Sequence, residues 1–124
     1  MPDPTIWYVN VFVRDFESAL AFYRDKLGLE VAMADEEFGY ASFDTKGAGF
    51  AIAAVGQDAD PAFAPGRHTG IGWGVESLDD AYETLRSTGV EFTAPPERQP
   101  WGGYMALFKD PDGNVFYLDE LREH

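Results

Sequence analysis

A chain of 124 residues, 45% hydrophobic and 15% aromatic, carries enough apolar surface to fold as one domain, which excludes a disordered protein. Its net charge of −13, from 22 acidic against 9 basic residues, argues against nucleic acid or an anionic membrane as partner and steers cationic ligands toward it. With no cysteine there is no disulfide, no thiolate metal site and no Cys nucleophile.

The N-terminus lacks the basic-then-apolar pattern of a secretion signal, and no apolar run reaches the roughly 18 residues of a membrane span. A cytoplasmic protein is expected. Ile6 to Val13 reads as a strand, with Val9, Val11 and Val13 on one face and Tyr8, Asn10 and Phe12 on the other. Asp15 is a good N-cap for a helix over Phe16 to Leu27, in which Leu20, Tyr23 and Leu27 form an apolar stripe and Gly28 is the stop. Leu29 to Ala34, Phe38 to Phe43 and Phe50 to Val55 follow as strands, the last two joined by the hairpin loop Lys46-Gly47-Ala48-Gly49.

A segment rich in proline, alanine and acids then reads as a linker over residues 56–67. After it the pattern restarts. Thr69 to Val75 is a strand, and Ser77 caps a helix over Leu78 to Ser87, with Asp80 placed to complete the cap and Gly89 the stop. Val90 to Thr93 is a strand, and Ala94 to Pro100 is expected to be a proline-broken loop. The chain closes on a hairpin over Trp101 to Asp119, whose turn is Asp110-Pro111-Asp112-Gly113-Asn114. Pro111 presets the turn, Asp112 is placed to bond back to its own backbone, and Gly113 accepts the left-handed conformation.

The two halves align residue by residue. Val13-Arg14-Asp15-Phe16-Glu17-Ser18-Ala19-Leu20 matches Val75-Glu76-Ser77-Leu78-Asp79-Asp80-Ala81-Tyr82, and Gly28-Leu29-Glu30-Val31 matches Gly89-Val90-Glu91-Phe92. The expected fold is α+β: one domain over 1–124, with tandem βαβββ units at 6–55 and 68–119. A four-stranded unit covers one sheet face with its helix. Pairing two such units gives a curved mixed sheet around a cavity.

The phrases Phe22-Tyr23-Arg24-Asp25-Lys26-Leu27-Gly28-Leu29 and Asp110-Pro111-Asp112-Gly113-Asn114, in register with the repeat, resemble the vicinal oxygen chelate superfamily. That superfamily holds glyoxalase I, extradiol dioxygenases, fosfomycin-resistance enzymes and bleomycin-resistance proteins. The resemblance implies metal ligands at four inward strand positions in those members that use a metal. Here these positions hold Tyr8, Gly70, Tyr117 and, in the copy-one counterpart of Tyr117, Ala53. None is His, Glu or Asp, whereas a divalent site needs three or four converging N or O ligands. His68 shares the parity of Gly70 and is a lone imidazole seeking partners. No metal and no other cofactor is therefore expected.

Strand parity places Tyr8, Asn10, Phe12, Tyr40, Tyr117 and Asp119 toward the cavity, with Trp101 and Tyr104 at its mouth in a glycine loop. Aromatic walls with a few polar groups suit a flat or cationic organic molecule. Trp73 shares parity with Val75 and is read as core. No Ser/His pairing or phosphate-cradling loop is present in the pattern. The leading reading is a metal-free small-molecule binder of the bleomycin-resistance type, sequestering a cationic or aromatic antibiotic-like ligand as a homodimer. The alternatives are a lyase or isomerase, metal-independent or with an atypical metal site, in which Tyr8 or Tyr117 acts as acid and Asp119 as base, and an accessory subunit without its own ligand.

Overall fold

The computed structural model describes residues 3–122. The chain divides into two compact units, Met1–Pro65 and Gly66–His124. In the first, β1 (Tyr8–Val13), α1 (Phe16–Ala21), β2 (Glu30–Asp35), β3 (Tyr40–Asp44) and β4 (Gly49–Ala54) form a sheet of order β1-β4-β3-β2. In the second, β5 (His68–Val75), α2 (Leu78–Ser87), β6 (Glu91–Arg98), β7 (Tyr104–Lys109) and β8 (Val115–Glu120) repeat that order as β5-β8-β7-β6. The fold is α+β, with the βαβββ unit used twice. In each copy the first strand runs parallel to the fourth and the other pairings are antiparallel.

Strand alternation decides what each sheet buries. In the first unit Val11 and Val13 are buried with Ala41, Phe43, Phe50 and Ile52, the set that shares their face through the strand register. The Tyr23 ring completes this core, 5.9 Å from the Phe43 ring and 5.5 Å from that of Phe50. The second unit repeats the scheme with Leu78, Ala106, Phe108, Phe116 and Leu118, the Phe108 and Phe116 rings stacked at 5.3 Å. Trp73 lies on that side too, half-buried, its ring 6.2 Å from that of Phe116.

Both helices start as their sequences dictate. Asp15 accepts from the Ser18 amide at 3.3 Å and from its hydroxyl at 3.0 Å, bonds that hold its pKa below the ordinary carboxylate value. Ser77 accepts from the Asp80 amide at 3.3 Å. Glu120 Oε1, at the end of β8, accepts from the Leu78 amide at 3.2 Å and so satisfies a second orphan donor of α2.

The structure departs from the sequence expectations in three places. The first helix is α-helical only to Ala21 and continues as a π-helix over Phe22–Lys26, its widened turn marked by the Leu27 amide bonding to the Phe22 carbonyl at 2.9 Å. The region expected to be a proline-broken loop is strand: β6 runs through Pro95 and Pro96 to Arg98. It can do so because β6 is an edge strand, so missing amide donors cost no ladder bond on the open side, and its pairing with β7 shifts register twice. The segment expected to be a linker belongs, up to Pro65, to the first unit and contains a short 3-10 turn, Pro61–Phe63, capped by the Asp60 side chain. In the closing turn the Asp110 carboxylate folds back. Its Oδ1 accepts from the amides of Asp112 and Asn114 at 2.9 Å each, and Oδ2 accepts from Asn114 Nδ2 at 2.9 Å. Gly113 takes φ +85°, as the reversal requires. Asn114 Oδ1 in turn accepts from the Gly66 amide at 2.8 Å, which fixes the start of the second unit to this turn.

Candidate functional site

On β8, Tyr117 and Asp119 alternate with the buried Phe116 and Leu118, so their side chains project from the sheet face opposite α2. Pairing sets Met105 of β7 opposite Asp119 and Gly72 and Gly74 of β5 beside Tyr117 and Asp119. The two glycines leave room for neighbouring side chains: that of Asp119 over Gly72 and that of Leu121 over Gly74. A Cβ on Gly72 would lie 2.9 Å from Asp119 Oδ2, so the carboxylate lies over the β5 backbone where any other residue would displace it.

The result is a pocket of ≈ 400 Å³ within the second unit, lined by Trp101, Gly103, Tyr104, Met105, Tyr117, Asp119, Glu120, Leu121 and Arg122. It gathers four of the eight residues singled out in the sequence. Trp101 is 65% exposed in the loop before β7, its ring free to serve as a wall. Burial pushes the Asp119 carboxyl above the ordinary carboxylate pKa, and the Arg122 guanidinium opposes that rise. Tyr104 lines the pocket but is committed elsewhere: it shares parity with Ala106 and Phe108, and its hydroxyl donates to Asp79 Oδ1 on α2 at 2.6 Å. That bond, with partial desolvation, raises the phenol pKa, and the Arg98 guanidinium lies 4.8 Å from the ring centroid. Met105, Glu120, Leu121 and Arg122 were not anticipated as lining residues. Of these, Met105 was legible from hairpin pairing opposite Asp119, whereas the last two lie beyond the repeat.

His68 packs its ring 4.6 Å from that of Tyr117, and its Nδ1 accepts from the Gly70 amide at 3.0 Å. A register shift between His68 and Gly72, with Gly70 at φ +73°, produces this placement. The imidazole thus widens the aromatic surface around Tyr117.

The other four candidates lie in the first unit. Tyr8, Asn10 and Phe12 share the face of β1 opposite α1, and both Phe12 and Tyr40 pair with Ala53, so they form one row across the sheet. Tyr8 is exposed. Phe12 is half-buried, with the Phe63 ring edge-on at 5.0 Å. Asn10 Oδ1 is a buried acceptor that no donor among the described residues reaches.

Among the described residues no three His, Cys, Asp or Glu side chains converge as a metal would require. Also among the described residues, no helix is long and apolar enough to cross a membrane.

A family model described as the Glyoxalase/Bleomycin resistance protein/Dioxygenase superfamily matches residues 5–118. The chain belongs to this superfamily. Superfamily members bind small ligands. A bleomycin resistance protein from Klebsiella pneumoniae is 31% identical over 122 residues, covering 88% of this chain and 86% of that protein. The solved structure of TnmS3, an antibiotic binding protein from Streptomyces sp. CB03234, matches with a TM-score of 0.77 at 29% identity, over 98% of this chain and 99% of that one. A superfamily member from Sphaerobacter thermophilus DSM 20745 matches with a TM-score of 0.80 at 32% identity, over 98% of this chain and 100% of that one.

Proposed function

We propose that this superfamily member is a small-molecule-binding protein that sequesters a planar, cationic organic ligand without a metal. The observation that carries this reading is the pocket holding Trp101, Tyr117 and Asp119 together: two aromatic walls and one partly desolvated carboxylate. A net charge of −13 concentrates cations at its surface. The likeness to a bleomycin resistance protein and to an antibiotic binding protein supports an antibiotic-like ligand. Tyr8, Asn10, Phe12 and Tyr40 are assigned to the same task on the first unit, with Asn10 Oδ1 as an acceptor for a ligand N–H or O–H. Tyr104 contributes by holding the pocket rim to α2. The working form is a cytoplasmic homodimer.

Proflavine, a planar aromatic cation, is a suitable probe. Replacing Trp101 with Ala is expected to weaken its binding about 5-fold or more, the magnitude of one lost cation–π and stacking contact. Thermal unfolding should not move, because the indole is largely exposed. Unchanged calorimetric affinity in Trp101→Ala would remove this pocket as the binding site.

A further inference from the structure

The pocket contains a cation of its own. Leu121 and Arg122, immediately after β8, form part of its lining. The segment is fixed at its base: the Leu121 amide donates to the Val75 carbonyl at 2.8 Å, and the Leu121 side chain lies against Gly74, where no Cβ obstructs it. Arg122 then reaches toward the Trp101 loop. A Cβ on Gly103 would sit 3.2 Å from Arg122 Nη1 and 2.8 Å from Trp101 Nε1, and one on Gly102 would sit 3.8 Å from Arg122 Nη1. The guanidinium therefore rests on a two-glycine shelf beside the indole edge. It is also the charge that acts on Asp119. In a chain with 22 acidic and 9 basic residues, a basic side chain at this place is conspicuous.

We propose that Arg122 is a tethered cation at the mouth of the pocket, which the positive group of an incoming ligand must displace from the Trp101–Asp119 surroundings. Arg122 thereby sets charge selectivity. Neutral aromatic ligands do not compete with it, and weakly bound monocations are disfavoured relative to those with enough aromatic area to compensate. The proposal rests on the pocket being the ligand site. Because Arg122 is exposed, the competition is that of a surface charge pair, and its removal is worth about a 3–5-fold gain in affinity for a cation.

The test is calorimetric titration of proflavine and of acridine, its neutral ring system, into the wild-type chain, Arg122→Gln and Arg122→Lys at neutral pH. Arg122→Gln is expected to bind proflavine about 3–5-fold tighter with acridine unchanged, while Arg122→Lys, which restores the charge, stays near wild type. Unchanged or weaker proflavine binding by Arg122→Gln overturns the proposal. If proflavine does not bind, or binds wild type and Trp101→Ala alike, it is the pocket reading that has failed. Arg122 is then decided without ligand, by carbon NMR titration of the Asp119 carboxyl in wild type and Arg122→Gln. A midpoint that rises in the variant supports the tethered cation; an unmoved midpoint overturns it.

Discussion

Replacing Asp110 with Ala is expected to lower the stability of the chain by about 3–5 kcal/mol, the largest effect of any single polar substitution proposed for it. Asp110 is 3% exposed, and its carboxylate accepts from the amides of Asp112 and Asn114 and from the Asn114 side chain. Bonds to a charged acceptor contribute about 1.5–3 kcal/mol each, less than additively when they share one group, and their loss strands donors in a buried turn. Asn114, equally buried, also binds the Gly66 amide, so disorder in the turn reaches the start of the second unit. Against a typical total of about 5–15 kcal/mol, the loss is large. Urea unfolding followed by tryptophan fluorescence should show the midpoint falling at constant slope. Asp110→Asn, which keeps one acceptor, should fall between the two. A loss under about 1 kcal/mol in Asp110→Ala would mean that backbone turn geometry alone holds the hairpin.

Replacing Asp119 with Asn is expected to reduce proflavine affinity by about 10-fold and to leave acridine unaffected, the size of one partly desolvated charge contact. The effect carries a pH signature. Only the carboxylate attracts a cation, and burial raises the folded-state pKa of Asp119 above the usual 3.8. Affinity in the wild type is thus full above that raised value and declines as pH falls through it, earlier than for an exposed aspartate. Asp119→Asn should bind weakly and flatly across the same range. Calorimetry at a series of pH values reads both. An equal decline in wild type and variant would assign the proton to another group.

Much of this fold is written in strand parity and in the repeat. Alternation of Val11 and Val13 with Asn10 and Phe12, and of Phe116 and Leu118 with Tyr117 and Asp119, names the buried face and the open face without reference to tertiary structure. The same parity, carried along Tyr104-Met105-Ala106, shows that Tyr104 lies on the helix side and Met105 on the pocket side. The glycine loop before it drew attention to the aromatic instead. The prolines of β6 mislead because their cost depends on whether the strand is at an edge, which topology alone decides. The π-helix has no local signature: the two adjacent buried aromatics Phe22 and Tyr23 fit an α-helix equally well on paper. Arg122 was out of reach because nothing in residue spacing reveals that Gly102 and Gly103 leave space for a side chain distant in sequence.

The most direct test of the central claim is proflavine titration into chelator-treated protein, with and without added Zn²⁺, Ni²⁺, Mn²⁺ or Fe²⁺. The account predicts the same affinity in every case for the wild type, and loss of affinity in Trp101→Ala and Asp119→Asn whatever metal is present. Binding that appears only with one of these ions, or that survives both substitutions, would contradict it.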